Sequence, residues 1–287
     1  MKNDEIRTLL DTTLSKNAKV LYPLLGGMMN EAYVVEDDNK KFVLYISTKQ
    51  ANEMVDREKE KTCHEICYKL GITNKNIYFD TNNGIKINEY IEGNSLDKIT
   101  SFDYQKIADL FKKLHNSNQV APLDYQPFDR FINYENEALT YQNQREQDYT
   151  NLRDILFNNR RFLENQPLKI CHNDAQKSNI VKSLTDQYYF IDFEFMANND
   201  PLYDIAAFGN GLVKEGYKLL LTYCDNNPTK EEINRFALWR IFLSLQWYNV
   251  AITKHYRGEG ITHKIDFLKV ANFFLNNAKD ALGYLND

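Results

Sequence analysis

The stretch between Ile170 and Asp204 limits the folds open to this chain more than any other part of the sequence. Short apolar runs alternate there with loops that carry carboxylate, amide and imidazole side chains. One run, from Tyr189 to Ile191, leads directly into Asp192, which places this carboxylate at the end of a predicted strand. The pattern therefore predicts short strands joined by loops whose polar side chains gather at the strand ends.

The residue types in these loops suit phosphoryl transfer. Asp174 offers a carboxylate that can accept or orient a hydroxyl proton. Asn179, five positions later, and Asp192, after a predicted hairpin, offer oxygen atoms of the kind that hold Mg²⁺ beside phosphates. An isolated loop aspartate is usually a turn or capping residue. The sequence order of Asp174 as the base, Asn179 as the amide and Asp192 as the second carboxylate, however, is the order found in a kinase site.

The complete pattern resembles the catalytic core of the choline/ethanolamine kinase family, most closely its bacterial LicA-type members, within the aminoglycoside-phosphotransferase group. The residues that carry the resemblance are His172-Asn173-Asp174, Asn179, Ile191-Asp192-Phe193-Glu194-Phe195, Asn199-Asp200-Pro201 and Asp204. The resemblance implies a two-lobed, protein-kinase-like α+β fold with a small β-rich N-lobe and a larger, mostly helical C-lobe. It also implies ATP and Mg²⁺ as cofactors, and a role for Asp204 in supporting the catalytic loop. The implied catalytic residues are Asp174, His172 and Asn179, and the implied metal ligands are Asn179, Asp192 and Glu194.

Composition fits such a protein and argues against several other classes. The 287 residues are enough for one large domain or two lobes. A net charge of −5 argues against a nucleic-acid partner, and the longest apolar run contains Arg240 and Asn249, which argues against a membrane span. The N-terminus has no apolar signal segment and the cysteines lack metal-site spacing. We therefore expect reduced thiols and a cytoplasmic location.

Residues 1–92 are predicted to form the β-rich lobe and residues 93–287 the helical lobe. A helix at 3–16 precedes strands at 20–25, 31–36 and 41–47, and a single helix is predicted over 51–70. The turn between the first two strands is by itself an ordinary hairpin. Since its residues match the nucleotide-covering turn of the family, we assign these three to the nucleotide: Gly27, Met28 and Asn30.

The third strand departs from the family at the position that touches the nucleotide phosphates. Kinases carry a lysine or arginine there, and Tyr45 stands in its place. A neutral phenol cannot replace a fixed cation, and the substitutes that the sequence offers are Lys41, Lys49 and Lys177. Glu60 matches the helical glutamate that pairs with this cation and is assigned to the nucleotide site. We expect Glu60 either to bond the Tyr45 phenol or to remain a solvated charge.

The resemblance also assigns a hinge and an acceptor pocket. Strands at 75–79 and 85–91 lead into the residues that match the hinge beside the adenine, which are Asn88, Glu89, Tyr90 and Ile91. A helix at 230–257 carries Trp247 at the first position of the family's W-x-x-W choline box, whereas Val250 replaces the second tryptophan. We expect Trp247 and Tyr248 to attract a quaternary ammonium group, and Asp174 and Glu194 to lie at the acceptor hydroxyl.

The sequence thus predicts an ATP- and Mg²⁺-dependent kinase for the hydroxyl group of choline or a related amino alcohol. Its expected partners are a nucleotide and a small-molecule acceptor, without nucleic acid or membrane, and the oligomeric state is not predicted. Two alternatives stay open at this stage. One is a kinase for an aminoglycoside or a sugar, and the other is a weakened or non-catalytic nucleotide- or amine-binding homologue, suggested by Tyr45.

Overall fold

The structure, a computed structural model, describes residues 3–24 and 30–285. The described chain forms two compact units. The first contains the residues up to 102 together with 119–122 and 178–196, and the second contains 103–118, 123–177 and the residues from 197 onward. Residues 178–196 belong to the first unit because their hairpin pairs with a strand of that unit. The lobes predicted at 1–92 and 93–287 stay a prediction.

Within the described residues, the first unit begins with a helix and an antiparallel sheet of five strands. Its elements are α1 (Asn3–Thr13), β1 (Lys19–Leu24), β2 (Asn30–Asp37), β3 (Lys40–Ser47), α2 (Lys49–Met54), α3 (Arg57–Lys69), β4 (Asn76–Asp80) and β5 (Ile85–Glu89). The strand order is β1-β2-β3-β5-β4. Leu44 and Ile87 face the core that contains Leu10 of α1. Because side chains alternate along strands, Tyr45 and Lys86 lie on the other face.

The single helix predicted over 51–70 is wrong, since the chain forms α2 and α3 with Val55 and Asp56 between them. The side chain of Asp56 accepts the N–H of Lys59 and begins α3 as its N-cap. The buried stripe of α3 includes Glu60 and Cys67, at the spacing of one helical face. A charged residue therefore lies among the buried positions of this helix.

The remaining strands and α-helices lie in both units. They are β6 (Gly93–Ser95), α4 (Tyr104–His115), α5 (Pro127–Tyr141), α6 (Gln147–Asn158), α7 (Arg160–Glu164), β7 (Lys169–Cys171), β8 (Ile180–Ser183), β9 (Tyr188–Phe190), β10 (Ala197–Asn199), α8 (Pro201–Phe208), α9 (Val213–Tyr223), α10 (Lys230–Tyr256), α11 (Glu259–His263) and α12 (Phe267–Leu282). Strands β6, β8 and β9 form an antiparallel sheet in the first unit, and β7 pairs with β10 in the second. These elements confirm the predicted α+β class.

Helix α10 is the longest helix among the described residues of the second unit. It begins with a capping box, in which Thr229 and Glu232 bond each other's backbone N–H groups, and its first residue agrees with the helix predicted from 230. Arg240 and Asn249 are completely buried within it. Of the helices in the described chain, none combines the length and the apolar character that crossing a membrane would require.

Candidate active site

A buried charge network lies in the first unit. It consists of Arg57, Glu60, Lys86 and Glu194, whose side chains are buried, and of Asp192, whose side chain is 33% exposed. Glu60 accepts hydrogen bonds from Lys86 Nζ and, at 2.5 Å, from Arg57 Nη1. Lys86 Nζ lies 3.9 Å from Asp192 Oδ1, and Arg57 Nη1 lies 3.8 Å from Glu194 Oε2. Burial would raise the pKa of Glu60, but the charges of Lys86 and Arg57 hold it below its ordinary value.

Sequence reasoning missed Lys86, which lies directly opposite Tyr45 in the pairing of β3 with β5. Its Nζ is 5.0 Å from the centroid of the Tyr45 ring. The expectation that Glu60 bonds the Tyr45 phenol or stays solvated is wrong, because Glu60 is buried and bonded to Lys86 and Arg57. The sequence gives one signal for this residue, which is that Lys86 interrupts an apolar strand. That Lys86 faces Tyr45 follows only from the register between β3 and β5.

The β8–β9 hairpin brings the backbones of Asn179 and Asp192 to the same end. Ile180 pairs with Phe190, and the N–H of Ile191 donates to the Asn179 carbonyl at 3.0 Å. Asn179 comes directly before β8, and Asp192 follows just after β9. Asp192 has a φ of 68°, in the left-handed region that non-glycine residues seldom adopt, and such conformations cluster at functional sites.

The oxygen atoms beside this hairpin end suit a divalent cation. Asp192 Oδ1 and Glu194 Oε2 are buried and accept no hydrogen bond from the described residues. Burial, and then the charge of Asp192, raise the pKa of Glu194 to about 8. A divalent cation would satisfy both oxygens and remove the repulsion between the carboxylates, since hard cations prefer such ligands. Asn179, only 8% exposed, would add an amide oxygen.

In the second unit, Asp204 holds the loop that contains Asp174. The N–H groups of His172 and Asn173 donate to its two carboxylate oxygens, each at 2.7 Å. The N–H of Asp174 donates to the His172 ring at 3.3 Å, and Gln176 Nε2 donates to both Asp174 oxygens at 3.1 and 3.3 Å. His172 has no exposed surface, whereas Asp174 is only partly buried.

Asp204→Asn is expected to destabilise the protein by about 3 kcal/mol, because an amide N–H would then face a buried N–H of the loop. A misplaced Asp174 is expected to lower kcat about 100-fold. Thermal unfolding and initial rates measure the two effects. Asp280→Asn, on an exposed position of α12, is the matched control and should change neither. Unaltered stability in Asp204→Asn would show that the loop does not depend on this carboxylate.

The structure describes all four residues assigned to the hinge. The N–H groups of Glu89 and Tyr90 donate to the carbonyls of Lys75 and Lys41 at 2.9 and 3.0 Å. The side chain of Asn88, the first residue of the assigned hinge, is buried and accepts from Asn76 Nδ2 at 2.8 Å. Much of the hydrogen-bonding capacity at this end of β5 is therefore used within the sheet.

Only part of the predicted nucleotide-covering turn can be described. Gly27 and Met28 lie outside the described residues. Asn30 begins β2, and its Oδ1 accepts the hydroxyl of Ser47 on β3 at 2.7 Å. This bond joins the end of the turn to the strand that carries Tyr45.

The two aromatic residues predicted for the acceptor pocket face different neighbours. The Trp247 ring stacks on Phe274 with 6.0 Å between centroids, whereas the Tyr248 ring lies 5.0 Å from Tyr149. Successive residues of a helix point about 100° apart, so the two side chains leave α10 in different directions. The Arg145 guanidinium lies 5.1 Å from the Tyr149 ring and 5.8 Å from the Tyr248 ring. A cation–π position exists here, and sequence reasoning missed the arginine that holds it.

The chain is similar to known proteins over most of its length. A family model described as choline/ethanolamine kinase matches residues 21–271. Protein LicA of Haemophilus influenzae is 29% identical over 252 residues, which cover 82% of this chain and 74% of LicA. The structure of choline kinase LicA from Streptococcus pneumoniae matches with a TM-score of 0.72 at 27% identity, over 98% of this chain and 99% of that one. A structure of LicA in complex with AMP also has a TM-score of 0.72, at 26% identity, over 98% and 97% of the chains.

These similarities include the segments of the candidate site. The matched range begins in β1 and ends in α12, so it contains the buried charge network and the Asp174 loop. The similarity of the solved structures confirms the protein-kinase-like fold. The chain therefore belongs to the choline/ethanolamine kinase family, as a phosphotransferase with an alcohol group as acceptor.

Proposed function

We propose that this protein transfers the γ-phosphoryl group of ATP, with Mg²⁺, to the hydroxyl group of choline or a related amino alcohol. The proposal rests on the end of the β8–β9 hairpin. The backbones of Asn179 and Asp192 lie together at this end, and buried carboxylate oxygens beside it accept no hydrogen bond from the described residues. Membership of the family and the similarity to choline kinase LicA support the acceptor class. The LicA complex with AMP supports an adenine nucleotide.

Each proposed role follows from the chemistry of the side chain. Asn179, Asp192 and Glu194 would hold Mg²⁺, which when bound neutralises charge on the phosphates. Asp174 accepts the proton of the acceptor hydroxyl, and the amide of Gln176 fixes the orientation of its carboxylate. Little further chemistry is needed from the protein, because phosphoryl transfer depends mainly on positioning and on neutralising charge.

The adenine is proposed to lie along the hinge. Since the N–H groups of Glu89 and Tyr90 already bond within the sheet, we assign the contact to the backbone that follows them, from the Tyr90 carbonyl to Ile91. Asn30 would hold the start of β2 against β3 beside the phosphates through its bond to Ser47. A cytoplasmic location stays a prediction of the sequence.

A panel of acceptors tests the substrate class. ADP release is measured with choline, ethanolamine, an aminoglycoside and a simple sugar, each against a reaction without acceptor. We expect kcat/KM for choline or ethanolamine to exceed that for the other acceptors at least about tenfold, as one or two well-placed contacts provide. Turnover of another acceptor, with choline and ethanolamine both inert, would show that the proposed substrate is wrong.

A kinase for a different alcohol is the second candidate, and Arg145 is the observation that favours it. Its guanidinium already lies against the rings of Tyr149 and Tyr248, where a quaternary ammonium group would be attracted. A second cation at this place would be repelled, whereas a neutral or anionic part of an acceptor would not. The same panel separates the two candidates.

A further inference from the structure

The proposed nucleotide carries several negative charges, and kinases meet them with a cation on the third strand. Tyr45 stands at this position and does not supply the charge. A phenol is neutral or negative, and burial raises the pKa of Tyr45 to about 12, so it stays neutral at physiological pH. The positive charge must come from another side chain.

Lys86 brings an ammonium group to the same place from the neighbouring strand. Tyr45 and Lys86 are direct partners of the antiparallel pair β3–β5, and the side chains of such partners stand about 5 Å apart on one face. Lys86 Nζ lies 5.0 Å from the Tyr45 ring centroid and 5.8 Å from that of Phe79. A lysine on β5 therefore reaches the space beside Tyr45 that a lysine on β3 would occupy.

The charged groups around Lys86 fix the position of its ammonium group. Lys86 Nζ donates a hydrogen bond to Glu60 Oε1. Arg57 holds the other oxygen of Glu60 at 2.5 Å and also donates to Ser47, so this arginine anchors the glutamate. The approach of Lys86 Nζ to Asp192 places the ammonium beside a proposed metal ligand.

Of the three lysines that the sequence offered as substitutes, two donate hydrogen bonds to other carboxylates and one is exposed. Lys41 Nζ donates to Glu92 at 2.8 Å. The Lys49 side chain is 94% exposed. Lys177, in the second unit, donates to Glu215 at 2.7 Å. Neither Lys41 nor Lys49 forms an ion pair with a member of the buried charge network.

We propose that Lys86 on β5 binds the phosphates of the nucleotide in place of the lysine or arginine that kinases carry on β3. The proposal rests on the proposed ATP-dependent activity and names the residue that provides its charge. Tyr45 then packs its ring against the Lys86 side chain and supplies no charge of its own. The alternative of a non-catalytic protein was suggested by the missing cation at Tyr45. It is no longer needed, because Lys86 on the neighbouring strand supplies the positive charge.

Lys86→Met tests the charge, with Lys49→Met as the matched control on the exposed surface. Affinities for Mg²⁺-ATP and for adenosine are measured by calorimetric titration. We expect Lys86→Met to weaken ATP binding about 100-fold and adenosine binding by less than about threefold, because adenosine has no phosphate. Lys86→Arg keeps the charge and most of the affinity, and Lys49→Met changes neither. A purely structural role would lower both affinities together, and unchanged ATP affinity in Lys86→Met would overturn the proposal.

An exchange variant, Tyr45→Lys with Lys86→Tyr, returns the cation to β3. We expect it to recover at least about a tenth of the kcat/KM of the unmodified protein, whereas Lys86→Tyr alone loses about 100-fold. Such a recovery would show that the charge can be supplied from either strand. It would also show that folding does not require a lysine at position 86. A folded exchange variant that is no more active than Lys86→Tyr would contradict the proposal.

The unmodified protein provides a test that does not depend on whether any variant folds. An acyl-phosphate derivative of ATP transfers its acyl group to a lysine amine beside the phosphates, and mass spectrometry identifies the lysine. We expect Lys86 to be labelled and excess ATP to suppress the labelling, and labelling confined to Lys41, Lys49 or Lys177 would overturn the proposal.

If the unmodified protein binds no ATP, the proposed function and the role of Lys86 both fail. If it phosphorylates an acceptor while Lys86→Met keeps full ATP affinity, only the role of Lys86 fails.

Discussion

Asp192→Ala is expected to lower the rate of phosphoryl transfer about 1,000-fold and to remove the stabilisation of the protein by Mg²⁺-ATP. Asp192 provides a buried oxygen that accepts no hydrogen bond from the described residues, at the hairpin end it shares with Asn179. Without this carboxylate, the proposed magnesium site loses a charged ligand. ADP release and the thermal unfolding midpoint, each with ATP in the presence and absence of Mg²⁺, measure the two effects.

The stability of the ligand-free protein distinguishes this loss from misfolding. The Asp192 carboxylate repels Glu194 and attracts Lys86, so its removal changes two opposing interactions, and the variant should unfold at nearly the same temperature as the unmodified protein. Asp97→Ala, at an exposed position, is the matched control and should keep both activity and stabilisation. Chelation of Mg²⁺ by EDTA in the unmodified protein should reproduce the defect. A Mg²⁺-dependent midpoint shift that persists in Asp192→Ala would contradict the assignment.

Asp174→Asn is expected to lower kcat about 1,000-fold and to leave ATP binding unchanged. An amide cannot accept the hydroxyl proton of the acceptor, although it has nearly the same size as the carboxylate. The hydrogen bonds of the loop backbone to Asp204 do not involve this side chain, so the loop should keep its conformation. Steady-state kinetics and the thermal shift with Mg²⁺-ATP separate the loss of chemistry from a loss of binding.

Asp154→Asn, on an exposed position of α6, is the matched control for this variant and should retain full activity. A kcat above about a tenth of the unmodified value in Asp174→Asn would mean that another group accepts the proton. Together with Asp192→Ala, the variant tests whether nucleotide binding and proton acceptance belong to different side chains. We expect Asp192→Ala to lose both nucleotide stabilisation and turnover, and Asp174→Asn to lose only turnover.

Local segments of the candidate site could be predicted because short-range geometry determines them. Asn179 and Asp192 flank one hairpin, so the strand pattern between them already requires that they leave it at the same end. The loop around Asp174 and its support by Asp204 followed from the family pattern, and the hydrogen bonds of the loop agree with it. The break at Val55 was missed, because the capping by Asp56 competes with a continuous helical pattern.

The sequence by itself determined the class of the fold, the family, and the residues whose spacing is local, because hydrophobic periodicity and short loops leave few alternatives. Only the tertiary structure decided which cation faces Glu60 and which groups lie against Tyr248. Tyr45 and Lys86 become neighbours through the pairing of β3 with β5, a register between strands far apart in sequence. A one-residue change in that register would turn Lys86 to the other face of the sheet, and no pattern within either strand reveals it.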